Sequence, residues 1–149
     1  ETKNIVRGFI DKKEVFAICL KETNKVIGSI GAHDRSFSSQ INESKEKEIG
    51  YVLNPLYWGK GIVTEAVKAL IAFLFENRKM NRLTCGHFSF NQASKRVIEK
   101  CGFSFVNTKE KILEQLDDQK VMLHSYQMTL EQYHAIISKE PLFFRGIED

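Results

Sequence analysis

The sequence predicts a single α/β domain of the α+β kind, built on one mixed sheet with helices packed on its faces. Three observations carry this. Short runs that alternate apolar and polar residues recur along the chain, one segment from Thr64 to Asn77 places apolar residues at helical spacing, and the two patterns interleave. An order of strands, then strand, helix, strand, helix, strand, strand closes as helices laid on a sheet. At 149 residues the chain is long enough to bury roughly two-thirds of its unfolded surface in one core.

The elements follow in chain order. Glu14 to Leu20 is apolar, Glu22-Thr23-Asn24-Lys25 supplies turn chemistry, and Val26 to Gly31 resumes the apolar run, which predicts a hairpin. From Asp34 to Lys47 the chain is polar and rich in serine and charge, with neither period, and is expected to be a loop. Glu48 to Leu53 returns to strand, with Ile49, Tyr51 and Leu53 on one face and Glu48, Gly50 and Val52 on the other. Asn54-Pro55 breaks it. The helix from Thr64 to Asn77 turns Ala66, Val67, Leu70, Ile71 and Leu74 inward. Arg82 to Phe88 is a strand, and Asn91 to Lys100 a short helix that Gly102 ends. Phe103 to Leu116 and Gln119 to Leu130 form a closing hairpin around Asp117-Asp118.

Composition excludes several classes. The 22 basic and 19 acidic residues are interspersed, so the net charge of +3 builds no stripe for nucleic acid. The longest apolar stretch, Val67 to Phe75, is interrupted by Lys68 and falls short of the roughly 20 residues a membrane span needs. Cys19, Cys85 and Cys101 stand far apart with no C-x-x-C pair, which fits a reducing cytoplasm, and the four histidines form no ligand spacing, so no metal is expected. The chain opens on Glu1 rather than Met, so the expectation is a domain spanning 1–149 that is incomplete at its N-terminus.

The sharpest signal is Tyr57-Trp58-Gly59-Lys60-Gly61-Ile62-Val63-Thr64-Glu65-Ala66, set between a strand and a long helix. A helix start offers unpaired N–H groups and a partial positive charge, and glycines let a phosphate approach the backbone. The Walker pattern is excluded because Gly61 follows Lys60 and no earlier glycine is correctly placed, and a dinucleotide fingerprint fails because Thr64 stands where its third glycine belongs. A plain tight loop is the other reading of an isolated G-x-G.

Taken with Glu48-Ile49-Gly50-Tyr51, Asn81-Arg82, Asn91-Gln92-Ala93-Ser94 and Lys100-Cys101-Gly102-Phe103, this turn resembles the GNAT superfamily of acetyltransferases, especially the branch with the ribosomal-protein N-terminal acetyltransferases. The resemblance runs from Phe16 to Tyr133. It implies a mixed, mostly antiparallel sheet with helices on both faces, whose central strands splay to admit the pantetheine arm of acetyl-CoA. It implies that backbone N–H groups of Trp58, Gly59, Lys60, Gly61, Ile62, Val63 and Thr64 bind the pyrophosphate, and that Asn91 and Ser94 line the thioester end. As a helix N-cap, Asn91 has an ordinary structural use as well.

The implied partners are acetyl-CoA and an amine, with no metal, no nucleic acid and no membrane, in a monomer or a homodimer. Transfer to an amine requires that the amine be neutral; an α-amino group near pKa ~8 needs a modest base, a lysine near ~10.4 more help. Glu48 is the candidate base, on the strand that flanks the acetyl group in the resembling enzymes. Its other reading is a solvated glutamate or one paired with Arg82 or a lysine. A strand N–H near Tyr51 or Val52 is expected to polarise the carbonyl. Many GNAT enzymes carry a tyrosine acid seven positions after the asparagine, where this chain has Ile98; Ser94, orienting a water, is the substitute considered. The competing readings are a non-catalytic acyl-CoA-binding module and a general nucleotide-phosphate binder.

Overall fold

A computed structural model of the chain describes residues 4–8, 14–34 and 45–144. Among these residues seven strands, β1 (Asn4–Gly8), β2 (Val15–Leu20), β3 (Val26–Asp34), β4 (Glu46–Leu53), β5 (Arg82–Phe88), β6 (Ser104–Leu113) and β7 (Gln119–Thr129), join helices α1 (Ile62–Glu76), α2 (Gln92–Lys100) and α3 (Leu130–Lys139). The sheet runs β1-β2-β3-β4-β5-β7-β6. Every neighbouring pair is antiparallel except β4 and β5, which are parallel. The expected mixed, mostly antiparallel sheet is therefore present.

The expected hairpin is β2 and β3, and β1 adds an edge strand that periodicity did not indicate. The polar stretch after it departs from expectation at both ends. β3 extends to Asp34 and β4 begins at Glu46, with His33 opposite Glu48 and Asp34 opposite Lys47. Lys47 Nζ lies 3.0 Å from Asp34 and 3.2 Å from Glu14, so charge pairing across strands extends the ladder where no apolar alternation exists. Of the remainder of the predicted loop, Lys45 is outside regular structure and residues 35–44 lie outside the described residues.

The α1 helix buries Ala66, Val67, Leu70, Ile71 and Leu74 as its spacing predicted. They join Ile18, Ile30, Ile49, Leu83 and Met128 of the sheet, Ile98 of α2 and Tyr133 of α3 in one core. Both crossovers, β4 to α1 to β5 and β5 to α2 to β6, advance in one direction across the sheet, so right-handed connections put α1 and α2 on one face. Tyr133 of α3 stacks on Phe75 of α1 with centroids 4.7 Å apart, on the same side. A helical layer on the opposite face is not seen among the described residues, none of whose helices is long and apolar enough to cross a membrane.

What positions the site is a separation of strands. β4 and β5 pair only from Glu46 opposite Arg82 to Glu48 opposite Thr84. Beyond that point β4 continues to Leu53 beside β3, and β5 to Phe88 beside β7. The sheet is open between them.

Candidate active site

The register of β3 against β4 decides which backbone groups face the opening. Asn54 N–H donates to Ile27 O at 2.8 Å, in step with Leu53 opposite Gly28 and Val52 opposite Ser29. In an antiparallel ladder, alternate residues turn their polar groups to alternate sides. Val52 N–H is therefore committed to β3, while the N–H and C=O of Tyr51 and Leu53 point into the opening. The indole Nε1–H of Trp58 donates to Leu53 O at 2.8 Å, as that geometry requires. Of the two strand N–H groups considered from sequence, only Tyr51 faces the gap.

The turn after β4 takes shape from its glycines. Gly59 has φ +76° and Gly61, the N-cap of α1, has φ +79°, with open space where a side chain would lie. The left-handed backbone, not crowding, calls for glycine at both. The first α1 hydrogen bond is Glu65 N–H to Gly61 O, so the N–H groups of Ile62, Val63 and Thr64 are left without an intrahelical partner. Trp58 N–H is already donated to Pro55 O at 3.1 Å, which narrows the expected cradle to Gly59–Thr64. Trp58 keeps two other uses, as a wall and as the anchor on Leu53.

Two cavities meet at the opening. One, of about 450 Å3, is lined by Tyr51, Val52, Leu53, Trp58, Gly59, the Gly61–Thr64 turn, Asn91, Ser94, Arg96 and Lys100. Lys60 is not on its wall; its Nζ sits 5.8 Å over the Tyr57 ring. The other, of about 420 Å3, is lined by Glu48, Arg82, Thr84, His87, Asn107, Lys109 and Gln127, among others. Among the described residues, only Tyr51, Asn91 and Ser94 line both. The Tyr51 hydroxyl and Ser94 Oγ are hydrogen-bonded at 2.6 Å, and Asn91 Oδ1 caps α2 by accepting from Ser94 N–H at 3.0 Å. The ordinary use of Asn91 and its place beside the gap coexist.

Glu48 is exposed and makes no ion pair among the described residues. Arg82, its suggested partner, bonds instead to Glu46 at 3.0 Å and Gln127 at 2.6 Å. Thr84 Oγ1 and Arg82 Nε are buried without a partner and line the same cavity as Glu48. Composition gave no signal for Thr84, which does not stand out until β5 is set beside β4, and Arg82 stood out only as part of Asn81-Arg82 and as a partner for Glu48. Burial pushes the Cys101 thiol up to about 12, and Cys85 is raised by burial too, so neither is a nucleophile at neutral pH. Scattered in sequence, His87 and His124 come to 5.0 Å between ring centroids, with His87 Nδ1–H donating to Phe88 O at 2.8 Å. The described residues contain no group of three or more side chains able to hold a metal ion.

An opened sheet with unpaired helix-start N–H groups on one side of the gap and a carboxylate on the other has the form of a group-transfer site. The chain belongs to the GNAT acetyltransferases: residues 2–104 match the family described as "Acetyltransferase (GNAT) domain". It is 35% identical over 88 residues to the uncharacterized N-acetyltransferase p20 of Bacillus licheniformis, covering 59% of this chain and 47% of that protein. The chain thus spans about half the length of that curated relative. Among solved structures it resembles a GNAT-family acetyltransferase from Bacillus anthracis, at 26% identity and TM-score 0.68, covering 78% of this chain and 66% of that one. It also resembles the microcin C7 self-immunity acetyltransferase MccE, solved with acetyl-CoA and AMP, at 25% identity and TM-score 0.64, covering 79% and 61% of the two chains.

Proposed function

We propose that this domain transfers an acetyl group from acetyl-CoA directly to a primary amine, with both substrates bound together. The observation that carries the reading is the meeting of the two cavities at Tyr51, Asn91 and Ser94, with the cradle at one end and Glu48 at the other. The Gly59–Thr64 N–H groups suit a pyrophosphate, since a diphosphate at a helix start is both hydrogen-bonded and electrostatically favoured. When bound, acetyl-CoA supplies the activated acyl group. Tyr51 N–H, aimed into the gap, polarises its carbonyl.

On the acceptor side Glu48 takes the proton of the amine, directly or through a water, and Thr84 Oγ1 and Arg82 Nε orient the acceptor. The acceptor is a protein N-terminal α-amine or the amine of a small molecule. Holding amine and thioester in register supplies much of the acceleration. The setting is a reducing cytoplasm, in keeping with three buried free cysteines.

The test is thiol release from acetyl-CoA across a panel of amines, with binding of CoA followed by calorimetry. Glu48→Gln is expected to lower kcat/KM by about 10²- to 10⁴-fold while CoA affinity holds. A second reading, a non-catalytic acyl-CoA sensor, draws on Ile98, fully buried where similar enzymes carry a tyrosine. Tight binding of acetyl-CoA without thiol release for any amine would select it.

A further inference from the structure

With Ile98 buried in the core, no tyrosine of α2 reaches the gap. A different tyrosine does. Tyr51 stands on β4, and its hydroxyl is held at 2.6 Å by Ser94 at the start of α2, so the bond links β4 to the helix that follows β5, at the edge of the opening. Tyr51 and Ser94 line both the cavity that ends at the phosphate cradle and the cavity that holds Glu48. A sulfur leaving an acyl group at the junction of donor and acceptor sides would leave beside this hydroxyl. We propose that the Tyr51 hydroxyl is the hydrogen-bond donor that stabilises the departing thiolate, and that Ser94 aims it. The inference rests on the acetyl-transfer reading above and adds to it the group that serves the leaving sulfur.

The chemistry of the site favours donation without transfer of the proton. Burial, opposed in part by the Ser94 hydrogen bond and assisted by the Cys85 and Cys101 thiols, raises the Tyr51 phenol above its ordinary value of 10.0. A thiol titrates near ~8.5, so moving a proton from this phenol to a thiolate is uphill. The N–C bond forms as the C–S bond breaks, the C–S electron pair goes to sulfur, and the amine proton goes to Glu48 or water. Tyr51 keeps its proton throughout and shares it with the sulfur, while Ser94 O–H turns to donate to the phenol oxygen. The thiolate takes its proton from solvent on release.

A binary complex with CoA tests this without any acceptor. The thiolate absorbs in the ultraviolet, so the thiol of bound CoA can be titrated directly in the parent, Tyr51→Phe and Ser94→Ala proteins. A charge-assisted hydrogen bond corresponds to a shift of about one to two pH units. The bound thiol is expected to titrate that far below free CoA in the parent, and Tyr51→Phe to abolish most of the shift. Ser94→Ala is expected to abolish part of it, which keeps the test open should Tyr51→Phe fail to fold. Arg96 and Lys100, on the wall of the same cavity, act equally in all three proteins, so the differences isolate the hydroxyls. In turnover, Tyr51→Phe should lose about ten- to a hundredfold in kcat, and less with aryl thioesters, whose thiolates need less help.

A bound thiol that titrates identically in parent and Tyr51→Phe would overturn the proposal, as would a shift removed wholly by Ser94→Ala and not at all by Tyr51→Phe. An alkaline limb in the rate profile that disappears with Tyr51 would also overturn it, because it would mean that the proton is transferred. Failure of CoA to bind at all would instead bring down the acetyl-transfer reading itself.

Discussion

At the residue scale the site depends on backbone conformations that only certain residues tolerate. Gly61 caps α1 in the left-handed region with no side chain to accept a hydrogen bond, and its carbonyl takes the first helical N–H. Gly61→Ala meets no obstacle in space, so its cost is the backbone alone, about 1–2 kcal/mol for an L-residue in that region. The expected outcome is a lower urea midpoint together with weaker CoA binding, because relief of the strain rotates the N–H groups of the cradle. A variant that loses stability yet binds CoA as the parent does would show that the turn is not where the phosphates sit. Glu48 differs from Glu46 for a similarly local reason. Glu46 is spent on Arg82, and Glu48, two residues on along the same strand face, is left to the cavity.

At the element scale the strands and helices with a clear period were legible and those built on polar pairing were not. The Arg82–Phe88 strand and the inner face of α1 follow directly from apolar spacing, and Asn91 caps α2 as its residue type suggests. The ends of β3 and β4 depend on Lys47 meeting Asp34 and Glu14, partners that no local pattern brings together. The α3 helix went unanticipated, although Thr129 and Gln132 stand at capping-box spacing ahead of Tyr133 and Ile136. Both capping bonds form: Gln132 N–H donates to Thr129 Oγ1 at 3.1 Å, and Thr129 N–H donates to Gln132 Oε1 at 2.9 Å. Thr129→Ala is expected to cost about 1 kcal/mol in a urea melt. Because α3 packs on α1 rather than on the cavities, CoA affinity should not change; a lost cap that weakens binding would tie α3 to the site.

At the scale of the whole molecule, burying ionisable groups links stability to pH. The Cys101 thiol, pushed up to about 12 by burial, keeps its proton in the fold long after the unfolded chain has lost it. Its contribution is complete below the unfolded value of ~8.5 and is lost as pH rises from there toward 12, at about 1.4 kcal/mol per pH unit. Cys85 and Tyr51, raised in the same direction, act in the same sense. Urea midpoints between pH 7 and 11 should therefore fall above about 8.5, and fall less steeply in Cys101→Ala. Equal slopes in the two proteins would refute the assignment to this thiol.

Local chemistry determined the elements with strong periods and the glycine turn before α1, because each is set by neighbours in the chain, whereas Glu48 is set apart from Glu46 by the contact of Glu46 with Arg82. Only the tertiary structure decided that β4 and β5 part after Glu48 and Thr84, that Tyr51 rather than Val52 turns its N–H into the gap, and that Tyr51 meets Ser94 there. The reason is physical. Hydrogen-bond register and the separation of strands are properties of pairs of segments, and Tyr51 and Ser94 lie too far apart along the chain for any local preference to express their contact.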